Sequence, residues 1–173
     1  MKKRENKQAE YLRNFIFGVE DSLVSTVGLL SGVAIAGVPR ATIFLAGVVL
    51  VFVEAFSMGV GSYLSQQSID SFVQKAETHS HKSIAGAVIM WASYFFAGFI
   101  PLFPYLLLSV SHAFWVSILL ALLSLFVLGM LAGRMAGINL LRQGLRMFII
   151  GGIAILLGVA VGTFVNKYLI TVM

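Results

Sequence analysis

Cysteine is absent from the 173 residues, which excludes a disulfide frame, a thiolate metal site and a thiol redox pair. Charge is scarce as well. Only 11% of the residues are Asp, Glu, Lys or Arg, against about a quarter in soluble domains, and this excludes a water-soluble globular domain. Neither H-E-x-x-H nor G-x-S-x-G occurs, nor an aspartate-rich metal motif, so the usual signatures of a membrane-embedded hydrolase or lipid phosphotransferase are missing. The N-terminal MKKRENKQAE has no small-residue cleavage site, so the apolar stretch after it is expected to remain as a helix.

What the chain does contain is apolar length. Hydrophobic residues make up 59% of it, with a mean hydropathy of +0.96. Five segments, near 15–38, 41–64, 84–108, 113–132 and 147–170, reach the roughly 20 residues that cross a bilayer at about 1.5 Å each. They predict an all-α, polytopic membrane protein: a basic N-terminal segment over residues 1–14, then a single five-helix domain over 15–173. Two polar connections, Ser65 to Ser83 and Gly133 to Arg146, fall on the N-terminal side of such a bundle. Lys2, Lys3, Arg4, Lys7, Arg13, Lys75, Lys82, Arg134, Arg142 and Arg146 lie on that side, and only Arg40 and Lys167 on the other. The positive-inside rule then places the N-terminus in the cytoplasm and the C-terminus outside. The net charge of +5 is thereby read as a topology signal and not as a nucleic-acid surface. Short loops and the lack of a targeting extension point to a prokaryotic plasma membrane.

Within this apolar background stand three acids, Glu20, Asp21 and Glu54, with no Lys or Arg in the same stretches. A carboxylate at membrane depth costs several kcal/mol and marks an ion or proton pathway by default. On the first helix Asp21, Ser25, Gly28 and Gly32 follow the i, i+4, i+7, i+11 pattern of one face. On the second, Glu54, Met58, Gly61 and Ser65 do the same, flanked by Ser62, so that Ser25 and Ser62 are the candidate path-lining polar groups. Glu20 points about 100° away from Asp21 and is the weaker candidate ligand. The short turn at Gly37 to Arg40 requires an antiparallel hairpin, and counting from its ends places Asp21 level with Met58 and Glu54 one turn deeper.

Carboxylates alone suit hard cations, whereas a thioether selects toward softer ones, so Met58 favours Fe²⁺, with Mn²⁺, Co²⁺ or Zn²⁺ as alternatives. Desolvation and a neighbouring like charge both favour the protonated acid, so metal binding would displace protons. That is a physical basis for metal/proton antiport. Asp70, Glu77, His79 and His81 in the polar loop form a weaker candidate for metal capture, a solvated loop being the alternative. Pro101 and Pro104 predict a kink near the outer end of the third helix. Three glycine pairs spaced by four, Gly28 with Gly32, Gly129 with Gly133 and Gly158 with Gly162, allow close helix approach either within one chain or between copies. An odd number of spans without an internal repeat favours a pathway formed between subunits.

The runs FGVEDSLVSTVGLLSGVA, AFSMGVGSYLSQQS, AGFIPLFPYLL and LRQGLRMFIIGG resemble, in order, signatures of the vacuolar iron transporter family. The resemblance implies a five-helix homodimer whose ion path lies between subunits. It also implies export of Fe²⁺, and sometimes Mn²⁺, from the cytoplasm in exchange for protons, with no permanent cofactor. By position Asp21 matches the family's first-helix aspartate and Met58 the methionine of its SMG motif. The chain departs from the pattern in three places. Leu50 stands where eukaryotic members carry an acid, with Glu54 one turn nearer on the same face as its candidate replacement. Ser62 stands where many prokaryotic members carry the glutamate of GEY, and only Gln66 to Ser83 remains of an inserted metal-binding domain. A non-transporting metal sensor or inactive relative is therefore the alternative reading.

Overall fold

The computed structural model describes residues 2–74 and 81–170. Five long α-helices follow one another, α1 (Lys2–Ile35), α2 (Arg40–Gln74), α3 (His81–Leu107), α4 (Val110–Ala136) and α5 (Leu140–Val165). A π-helical stretch, Asn166–Ile170, continues α5. Each of the five contains a stretch long and apolar enough to cross a membrane, and no strand occurs among the described residues. The all-α, five-span architecture expected from the apolar runs is the one observed.

The helices outrun those apolar runs. At about 1.5 Å per residue α1 is roughly 51 Å long, well beyond the roughly 30 Å hydrocarbon layer. Its surplus, and that of α2, lies at the end of the bundle that carries the N-terminus. The polar stretch from Gly133 to Arg146, read from sequence as a connection, is mostly helix: α4 continues to Ala136 and α5 begins at Leu140. Polarity marks where a helix leaves the apolar layer, whereas backbone geometry decides where it stops. Gly137, at φ 68°, closes α4 in a Schellman arrangement, with Ile138 N–H donating to Gly133 O and Gly137 N–H to Arg134 O. The Asn139 side chain then caps α5 by accepting from Arg142 N–H.

Helices α1 and α3 hold the centre, α1 packing against all four others and α3 against α1, α2 and α4. One core cluster joins Leu23, Ala97, Leu125, Leu128 and Met147. A second, nearer the hairpin end, joins Leu30, Ile43, Leu102, Tyr105 and Ala113. Outward-facing Phe52, Phe56, Trp115, Leu141 and Leu156 are exposed, as expected of lipid-facing side chains. Helix α3 continues through Pro101 and Pro104, and the Ser117 hydroxyl of α4 donates to Pro101 O at 2.6 Å.

The glycine pairs are spent inside the chain. A Cβ at Gly158 would lie 2.8 Å from Gly28 O, and one at Gly32 would lie 3.0 Å from Gly158 O, so α1 and α5 touch backbone to backbone. Gly129 meets Gly144 and Gln143 in the same way across α4 and α5. Of the two uses open to these glycines, packing within one copy is the one observed.

Candidate functional site

Between α1 and α2 the register is set by a side-chain hydrogen bond. Asn14 Nδ2 donates to Ser62 Oγ at 3.1 Å and to Gly86 O of α3 at 3.0 Å. Asn14 is buried, so both bonds replace water that the apolar wall excludes. Counting inward from that bond brings Asp21 level with Glu54. Both stand about 21 Å from the hairpin ends of their helices, Ile35 and Arg40.

Asp21 and Glu54 lie within electrostatic reach of one another, and Tyr94 of α3 lies within reach of both. All three of the acids read from sequence are half-buried, as is Met58. Met58 lies one turn nearer the N-terminal end than the carboxylate pair. The equal depth expected for Asp21 and Met58 is thus replaced by equal depth for Asp21 and Glu54. The reason is local: Gly37, at φ 72°, ends α1 at Ile35, and α2 starts at Arg40 directly after Pro39, so the hairpin turns earlier than the apolar run implied.

Ser25 Oγ is hydrogen-bonded to Tyr94 Oη at 2.6 Å, and Ser22 Oγ donates to Tyr94 O at the same distance. Together these bonds hold the tyrosine, which is wholly buried, beside the acids. Glu20 takes another direction. Its electrostatic neighbours are Asp21 and, more weakly, Arg146 of α5, a base that its own stretch lacks.

Toward the N-terminal end, α1, α2 and α3 border an open cavity of about 470 Å³, lined by Arg13, Asn14, Phe17, Met58, Ser62 and Met90 among others. Ser62, expected as a path-lining polar group, therefore faces both the cavity and Asn14. Asp70 accepts a hydrogen bond from Gln66 Nε2, one turn earlier on α2. Glu77 and His79 lie outside the described residues, and His81 opens α3. Among the described residues no three His, Asp or Glu side chains gather closely enough to hold a metal between them.

Three residues of the site escaped the sequence reading. Asn14 stands seven positions before Asp21 on the same helical face, a periodicity that was available. Met90 and Tyr94 lie on α3, and nothing local marks them, because their importance comes from which helix packs opposite.

The family model described as VIT family matches residues 12–86 and 69–163, the two matches meeting around the α2–α3 connection. A protein named Vacuolar iron transporter 1 from Arabidopsis thaliana is 23% identical over 205 residues, covering 84% of this chain and 82% of that protein. One of the same name from Oryza sativa subsp. japonica is 23% identical over 211 residues, covering 87% and 84%. With five apolar helices and a family match across nearly its whole length, this integral membrane protein belongs to the VIT family.

Proposed function

We propose that the protein is a membrane transporter exporting Fe²⁺, with Mn²⁺, Co²⁺ or Zn²⁺ as other cargoes, from the cytoplasm by exchange for protons. The observation that carries this reading is the Asp21–Glu54 pair, two carboxylates at one depth with Met58 a turn away beside a cavity. The names of the two plant relatives support iron as cargo.

Two oxygen ligands and one thioether leave a divalent ion undercoordinated in a single copy. Half-exposed carboxylates at this depth also need cover from lipid. A second copy related by a two-fold axis would supply both, repeating Asp21, Glu54 and Met58 across the seam. In the empty dimer the carboxylates are the groups that would take up protons, and an arriving cation releases them. Release to the far side, followed by reprotonation from there, returns the carrier. The excess of Lys and Arg at the N-terminal end supports that end as cytoplasmic.

The test is Fe²⁺ uptake into proteoliposomes under an imposed pH gradient, with lumenal pH followed in parallel. Wild type is expected to couple uptake to proton movement, Asp21→Ala to reduce flux to background, and Met58→Ala to shift preference among Fe²⁺, Mn²⁺ and Zn²⁺. Folded protein that binds metal without moving Fe²⁺, Mn²⁺, Co²⁺ or Zn²⁺ would instead mark a sensor.

A further inference from the structure

The cavity on the N-terminal side of the carboxylates has a chemistry of its own. Two thioethers from different helices, Met58 of α2 and Met90 of α3, border it, and the chain has no cysteine to offer any other sulfur. Met90 is buried, and its sulfur lies against α1 at Gly18, where a Cβ would come within 3.3 Å of it. Ser93 Oγ and Met90 O stand closer still to that Cβ, so Gly18 admits the whole Met90–Ser93 turn of α3 to the seam, the sulfur with it.

Asn14 supplies an oxygen whose orientation is determined by its partners. Gly86 O can only accept, so the amide nitrogen must face it, and Oδ1 is left as the acceptor of the side chain. The group on that acceptor is itself cationic: Arg13 donates from a guanidinium nitrogen to Asn14 Oδ1 at 3.3 Å. At about 470 Å³ the cavity exceeds the roughly 180 Å³ that six waters occupy, so a hydrated divalent ion fits before it sheds its shell.

We propose that this cavity is a loading site, in which Met58, Met90 and Asn14 Oδ1 hold a soft or borderline divalent cation before it reaches Asp21 and Glu54, and from which the Arg13 guanidinium is displaced. The proposal rests on the transport reading for its place in a sequence of steps, but the binding it claims is separable from flux. Neutral donors suit such a station: they discriminate by softness and release the ion to the charged pair one turn deeper. Arg13 keeps the oxygen occupied until a doubly charged competitor arrives.

The experiment uses the full chain in nanodiscs with one equivalent of Cd²⁺ as a soft probe. X-ray absorption at the cadmium edge counts sulfur neighbours, and in a protein without cysteine each must be a methionine. Two are expected in wild type and one in Met90→Leu, a volume-conserving change. Competition binding is expected to show Met90→Leu weakening Cd²⁺ about tenfold while Mn²⁺ changes less than about twofold, and Arg13→Gln tightening both. A cadmium shell of oxygen alone, a single sulfur in wild type, or a Cd²⁺ to Mn²⁺ ratio unmoved by Met90→Leu would overturn the loading site. Fe²⁺ flux of the same wild-type preparation separates the two readings. Flux with no sulfur on cadmium sinks the loading site and leaves the transporter. Two sulfurs that fall to one in Met90→Leu, without flux, uphold the binding site and sink the transporter.

Discussion

The two halves of α1 carry one stripe of residues and meet opposite kinds of surroundings. Toward the N-terminus, Asn14, Asp21 and Ser25 face hydroxyls, a carboxylate and a cavity supplied by α2 and α3. Toward the hairpin, Gly28 and Gly32 face the backbone of α5 at Gly158 and Gly162 with no room for a methyl group at Gly158. Both halves are made of small or polar residues, yet one is open and wettable and the other is sealed by backbone contact. Small residues along a helix therefore mean room or closure according to what packs opposite. Along this stripe the N-terminal part borders a cavity, and the hairpin part is packed against backbone.

That contrast can be broken at the seal first. Gly158→Ala places a methyl group 2.8 Å from Gly28 O, and since a backbone carbonyl cannot step aside, the change is expected to cost about 1–3 kcal/mol, read as a lowered thermal midpoint in detergent. A midpoint equal to that of wild type would show that α5 does not close on α1. On the open half, Tyr94→Phe removes the bond to Ser25 and is expected to cost about 1 kcal/mol, with the fold intact. An unchanged midpoint there would mean that water replaces the hydroxyl, and the open half would be wetter than its hydrogen bonds imply.

The smallest expected effect sharpens the comparison most. Gly28→Ala is expected to leave stability unchanged or raise it by up to about 1 kcal/mol through helix propensity, because a Cβ there meets nothing within 4 Å. Gly28 is crowded at its carbonyl and open at its Cα hydrogen, so two glycines in mutual contact should respond oppositely to the same substitution. Equal destabilisation of both variants would mean that the helices face each other differently.

How much of this could be read from the chain depends on the range of the interactions involved. The five spans follow from runs of apolar residues, each a local property. The acids stood out for the same reason, since an ionisable group within such a run is anomalous wherever the helix packs. The hairpin register was less legible. A few residues of uncertainty at Gly37 and Pro39 exchange Met58 for Glu54 as the partner level with Asp21. Glu20 shows the limit most plainly: its own stretch contains no base, yet Arg146, more than a hundred residues later, lies within reach.

By itself the sequence determined that this protein lives in a bilayer as five helices, and that acids and a thioether sit at depth, because hydropathy and helical period act within a few turns. Only the tertiary structure decided that Gly28 and Gly32 close on Gly158 and Gly162, that Asn14 links α1 to α2 and α3, and that Met90 meets Met58 across a cavity. Those pairings depend on which helix faces which at what rotation. That choice is made by packing volumes summed over the whole bundle, which no local pattern encodes.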